Sequence, residues 1–218
     1  MRPSEEFRSR LMAGLRLDPP ALAEPDDLLN GDFKLNDRDD IDESKTIREA
    51  AVLVPLIEHE DGIHVLLTER SGDLSSHAGQ VAFPGGRIDP EDDGPVDAAL
   101  REAEEEVGLD RSFVNVVGFL DAYETGTRFR VVPVVGFVKP GFELTLNPGE
   151  VDEAFEVPLA FLMDPENHER HSAVWKGKRR TFYAMPYDGH NIWGATAGMI
   201  VNLYERAFAR SLDLTQGA

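Results

Sequence analysis

The 218-residue chain contains no cysteine. Disulfides, thiolate metal sites and a cysteine nucleophile are therefore excluded. It also lacks any apolar run that approaches membrane-spanning length. Basic residues are few: 22 Lys and Arg stand against 41 Asp and Glu, for a net charge of −19 and a pI near 4.6. That balance argues against non-specific binding to nucleic acid or to an anionic membrane. A phosphorylated substrate stays compatible with it, provided metal ions and a few Arg or Lys supply local positive charge. No internal repeat and no second domain are visible. What is present is 41% apolar and 29% charged residues, which predicts a soluble globular protein, expected in the cytoplasm. The length suits one domain with a sizeable core.

The stretch Leu100 to Leu109 reads LREAEEEVGL. Glu102, Glu105 and Glu106 fall at i, i+3 and i+4, which on a helix places three carboxylates on one face. Leu100, Ala103 and Val107 fall on another side that can meet a core. Gly108 suits the left-handed turn that ends a helix. This helix breaks two local rules. Glu102 and Glu106 are a like-charge i, i+4 pair, destabilising by roughly 0.2–0.5 kcal/mol. Glu104 to Glu106 also crowd the C-terminal turn, where the helix dipole favours cations. Arg101 offsets only part of that. Such a cluster is either a solvated acidic face or the ligand set of a hard divalent cation, Mg2+ or Mn2+.

The residues upstream favour the second reading. Phe83-Pro84-Gly85-Gly86 lets backbone come close to a ligand, and residues 87–100 join it to Arg101-Glu102. Together these segments resemble the box of the Nudix hydrolases, G-x5-E-x7-R-E-U-x-E-E-x-G-U, with U a bulky apolar residue. Arg101, Glu102, Glu105, Glu106, Gly108 and Leu109 match its second half. Ala103 is smaller than the box prefers. The first half departs: the spacing from Gly86 to Arg101 is one residue longer, and Asp92 and Asp93 are both candidates for its acid. The stretch Leu66 to Gly86, LLTERSGDLSSHAGQVAFPGG, resembles the segment that precedes the box in the coenzyme A pyrophosphatase branch. That branch also carries a box with one extra residue.

The resemblance implies an α/β fold, an α/β/α sandwich around a mixed β-sheet. It implies hydrolysis of the pyrophosphate of coenzyme A or an acyl derivative. Glu102 and Glu106 would be direct metal ligands, with Glu105 sharing metal or proton-handling work. Arg101 would orient the carboxylates through a bidentate contact, and Gly86 would offer backbone to the metal. An acid from a loop after the box would sit near the metals and serve as general base. Glu150 is the first choice, with Asp152 and Glu153 as fallbacks and a plain acidic surface turn as the bland alternative. Arg70 and Ser71 are candidates to meet phosphate, or else simply bond within their loop. His77 is a further substrate-binding candidate, or a satisfied loop histidine.

The rest of the chain gives organisation. Residues 1–47 read as a lead-in and 48–212 as the Nudix domain. Phe7, Leu11 and Leu15 recur at helical spacing. A packing arm is the favoured role for this helix, and a dimerisation arm, hence a homodimer, is the alternative. Pro19, Pro20 and Pro25 break it, and Asp37 to Glu43 read as solvated loop. Strands are expected at Ala50–Ile57, Ile63–Thr68, Phe113–Asp121, Arg130–Val138 and Thr181–Met185. Arg70 to Val81 is expected as loop, Leu159–Met163 as a short helix, and a last helix runs from Trp193 to about Arg210.

Overall fold

The computed structural model describes residues 3–20, 30–36, 46–74, 76–175 and 177–209. In chain order the elements are helix α1 (Pro3–Gly14) and strands β1 (Asn30–Gly31), β2 (Arg48–His59), β3 (Gly62–Arg70), β4 (Val81–Ala82) and β5 (Gly85–Arg87). Helix α2 (Pro95–Val107) follows, then β6 (Val114–Phe119), β7 (Tyr123–Glu124), β8 (Phe129–Val138) and β9 (Val151–Pro158). Helix α3 (Leu159–Leu162), strands β10 (Glu169–Trp175), β11 (Lys178–Tyr187) and β12 (His190–Trp193), and helix α4 (Ala195–Tyr204) complete it.

Strand β2 is apolar on both faces because both are covered. Ala50, Val54 and Leu56 join one core cluster; Ala51, Leu53 and Ile57, one residue out of phase, join the other. β8 lies parallel to β2 and divides in the same way, with Val131, Val135 and Phe137 on one side and Val132, Val134 and Val138 on the other. β3 is antiparallel to β2, and β9 antiparallel to β3. The nine-stranded sheet is thus mixed, with β1–β7 and β2–β8 its parallel pairs.

Helix α2 covers one face through Ala98, Ala99, Ala103 and Val107. The other face is covered by α1, α4 and the antiparallel sheet β10–β11–β12, through Leu11, Ile200, Met185 and Ile192 among others. This is the expected α/β/α sandwich. The lead-in helix is a packing arm: Phe7, Leu11 and Leu15 lie in the same cluster as Leu203 and Ala207 of the C-terminal helical segment. Arg206 ties the two ends together, bonding Gly14 O at 3.1 Å and Asp121 at 3.0 Å.

Strand β9 occupies the acidic stretch that the sequence left without an element. Its polar residues Asp152 and Glu153 are exposed while Val151 and Val157 are buried. Strands β10 and β12 were likewise not expected, and β11 extends beyond the expected Thr181–Met185. The acidic run Asp37 to Glu43 and the breaker Pro25 lie outside the described residues.

Candidate active site

Helix α2 starts after Gly94 with Pro95 in its first turn and ends at Gly108, whose φ of 70° is left-handed. The Gly108 N–H bonds Glu104 O at 3.0 Å and the Leu109 N–H bonds Ala103 O at 3.3 Å. The next carbonyls are met by the loop before β9: Thr145 N–H donates to Val107 O and Asn147 N–H to Glu106 O, both at 2.9 Å. A Cβ on Gly108 would come within 2.9 Å of Thr145 N, so the glycine also makes this docking sterically possible. The helix end and the loop are therefore one unit. That unit delivers Glu150, whose Oε1 accepts from Asn147 Nδ2 at 3.1 Å.

One carboxylate oxygen each from Glu102, Glu106 and Glu150 lie within 4.8 Å of one another. Glu106 is buried at 2% exposure. Its Oε2 accepts the Gly85 N–H at 3.1 Å, and its Oε1 lies 3.4 Å from Arg70 Nη1. Burial pushes its pKa up to about 7; Gly85 and Arg70 pull the other way, and the charges of Glu102 and Glu150 raise it further. Glu102 is also raised, chiefly by burial. Its carboxylate lies flat against Gly86, where a Cβ would stand 2.4 Å from its carboxyl carbon. Gly86 thus contributes by lacking a side chain; the neighbouring Gly85 supplies the bonding N–H.

Arg101 differs from its expected role. Its two-pronged contact goes to Asp92, with Nε–Oδ1 2.9 Å and Nη2–Oδ2 3.0 Å. Glu102 at 3.0 Å and Glu105 at 3.2 Å take single bonds from Nη1, and Arg87 O takes one from Nη2 at 3.2 Å. The hydrogen bond from Arg101 lowers the pKa of Asp92. Asp92 is therefore the acid that answers the arginine, while Asp93 only donates its N–H to Asp97 at 3.3 Å. Glu105 stands outside the three-carboxylate group, 54% exposed, with Arg101 as its partner.

The loop candidates separate as well. Between Glu69 and Arg70 the β3–β9 register shifts, a bulge that re-aims the side chain, and Arg70 meets Glu106. Ser71 is buried: its N–H donates to Glu150 O at 2.9 Å, and its hydroxyl accepts from Asp73 N–H at 3.4 Å. It positions the Glu150 segment, as does Asp152, which accepts the Gly72 N–H at 2.9 Å. His77 is exposed and pairs with Gln80 at 2.8 Å, so it is not among the groups gathered at the carboxylates. Gly85 belongs to the Gly-Gly stretch expected to bring backbone close, whereas Asn147 is not picked out by the sequence. Asn147 carries no local signal, because its role depends on a loop returning to a helix end.

Three carboxylate oxygens within 4.8 Å of one another, one of them on the buried Glu106, fit a hard divalent cation. An arginine beside them fits a phosphate oxygen. The arrangement is that of a divalent-cation centre with a cationic side chain at its edge. Residues 47–176 match the NUDIX domain. The chain is 38% identical over 170 residues to Nudix hydrolase 15, mitochondrial, of Arabidopsis thaliana, covering 75% of this chain and 60% of that protein. It is 42% identical over 159 residues to an uncharacterized Nudix hydrolase NudL of Photorhabdus laumondii, covering 73% of this chain and 84% of the relative. Among solved structures it resembles the NUDIX domain of Shewanella oneidensis NrtR complexed with ADP ribose, with TM-score 0.47 and 19% identity over 77% of this chain and 90% of that one. The chain belongs to the Nudix hydrolase family.

Proposed function

We propose that the substrate is coenzyme A or an acyl-coenzyme A. Hydrolysis of its pyrophosphate gives 4′-phosphopantetheine, or the acyl form, and adenosine 3′,5′-bisphosphate. The observation that carries the reaction type is the convergence of Glu102, Glu106 and Glu150 within 4.8 Å, beside Arg70. The choice of coenzyme A rests on the Leu66–Gly86 segment and on the extra residue between Gly86 and Arg101, both features of that branch.

Glu102 and Glu106 would hold Mg2+ or Mn2+, with Glu150 beside them. A divalent ion there supplies neutralisation of the diphosphate charge and a lower pKa for the attacking water. Glu150, the loop acid of the three, accepts the proton of that water as its oxygen bonds phosphorus and the bridging P–O bond breaks. Arg70 turns from its long contact with Glu106 to a phosphate oxygen. Arg101 holds Glu102 in place through the anchor of Asp92.

A panel of coenzyme A, acetyl-coenzyme A, NADH and ADP-ribose, each with Mg2+ and with Mn2+, tests this. Release of 4′-phosphopantetheine at the highest kcat/KM supports it. Intact coenzyme A alongside turnover of NADH or ADP-ribose removes the branch assignment. No turnover of any of them, with metal bound, would make the chain a binding module.

A further inference from the structure

Outside the active site, two histidines and a glutamate meet at the β2–β3 hairpin. Ligand atoms of His59, His64 and Glu156 all lie within 4.8 Å of one another. Glu156 Oε2 is 2.5 Å from His59 Nε2 and 3.3 Å from His64 Nδ1. The imidazoles are 4.8 Å apart, tilted by 56°.

Sheet register produces this arrangement. His64 pairs with Ile57 and Glu156 with Leu66, and residues two apart on a strand share a face. His59, His64 and Glu156 therefore project from one face, on three adjacent strands, with the rigid pleat as their frame. No loop closure is needed to assemble them.

His64 has a carboxylate on each side of its ring: Glu156 Oε2 lies 3.3 Å from Nδ1 and Asp61 Oδ2 3.6 Å from Nε2. An ion held at Nδ1 would leave Nε2 to donate its proton toward Asp61, the outer contact that orients a ligating imidazole.

We propose that His59, His64 and Glu156 bind a zinc-class transition-metal ion, with Asp61 as a positioning residue for His64. Imidazole nitrogens select such ions over Mg2+, which prefers oxygen. Bonds of roughly 2.1 Å in a tetrahedron place ligand atoms about 3.4 Å apart; the His64–Glu156 spacing of 3.3 Å matches, and the 2.5 Å His59–Glu156 hydrogen bond opens by about 1 Å as the ion replaces its proton. His59 and Glu156 are partly exposed, at 38% and 28%, so ions have access and a fourth position stays open to water. The site is distinct from the carboxylate centre: His64 is six residues along β3 from Arg70, roughly 20 Å at about 3.3 Å per residue. Its effect is to clip the β2–β3 hairpin to β9, the strand that begins directly after Glu150.

The test uses the full chain without a histidine tag and with Glu102, Glu106 and Glu150 changed to Gln, so that the oxygen site is disabled. Calorimetric titration with Zn2+ in excess Mg2+ is expected to show one equivalent bound, with a rise in Tm. Cobalt substituted for zinc is expected to give visible ligand-field absorption. His59→Ala and His64→Gln are each expected to lower zinc affinity at least tenfold and abolish that absorption, and Asp61→Asn to lower it about ten- to a hundredfold. His59→Ala, at the exposed strand end, serves if His64→Gln does not fold. His190→Gln, which alters the Glu69–Glu153–His190 group, is expected to leave binding unchanged. No bound zinc, unchanged affinity in His59→Ala, or loss confined to His190→Gln overturns the assignment.

Discussion

Glu106 is a carboxyl group kept out of water, with a long contact to Arg70 and one backbone donor as its support. With its folded pKa near 7 and an unfolded value near 4.5, the folded metal-free protein binds more protons than the unfolded chain between those values. Its stability therefore falls as pH rises from about 4.5 to 7, by up to on the order of 3 kcal/mol. Melting curves of metal-stripped protein are expected to show this fall, and Glu106→Gln to flatten it. Divalent cations compete with the same proton, so their affinity is expected to rise with pH up to about 7 and level off above it. Glu106→Gln is further expected to lose at least tenfold in rate while staying folded, by turnover assay and circular dichroism. A Tm for that variant as pH-sensitive as the parent's would show that another group carries the effect.

Gly86 and Gly108 matter at the level of elements, because each permits two segments to touch. Gly86→Ala places a methyl group against the Glu102 carboxylate, on the β5 backbone that faces α2. The carboxylate must swing away, so metal affinity is expected to fall at least tenfold with little change in Tm. Gly108→Ala strains the left-handed turn and crowds Thr145. A loss of about 1–3 kcal/mol is expected in denaturant melts, together with a lower kcat, since the same loop carries Glu150. A stability loss with unchanged kcat would uncouple the helix end from the acid.

Across the whole molecule, the N-terminal helix is fastened to the C-terminal one. Leu11 is fully buried between them. Leu11→Ala is expected to cost about 2–5 kcal/mol in a denaturant melt, while kcat at low temperature stays near the parent value because the carboxylates lie on the other face of the sheet. The helix also bears on where the folded unit starts. A lead-in that contributes Phe7, Leu11 and Leu15 to a shared core is part of the domain's packing, although intervening residues separate it in sequence.

The sequence by itself determined the elements whose signals are local. The Glu102–Glu106 helix with its terminal glycine, the doubly apolar β2 and β8, and the spacing of Phe7, Leu11 and Leu15 all follow from periodicity and the chemistry of single residues. The reason is that helix faces and strand faces are fixed by neighbours in the chain. Tertiary structure alone decided the matters that depend on chain segments returning to one another. It chose Asp92 over Asp93 for Arg101, moved Glu105 out of the carboxylate group, and turned Ser71 into a support for Glu150. It also made a strand of the acidic stretch after Glu150, because pairing with β3 satisfies its backbone whatever its outward side chains. Hydrogen-bond partners remote in sequence leave no mark on the residues between them, so only the folded chain could select them.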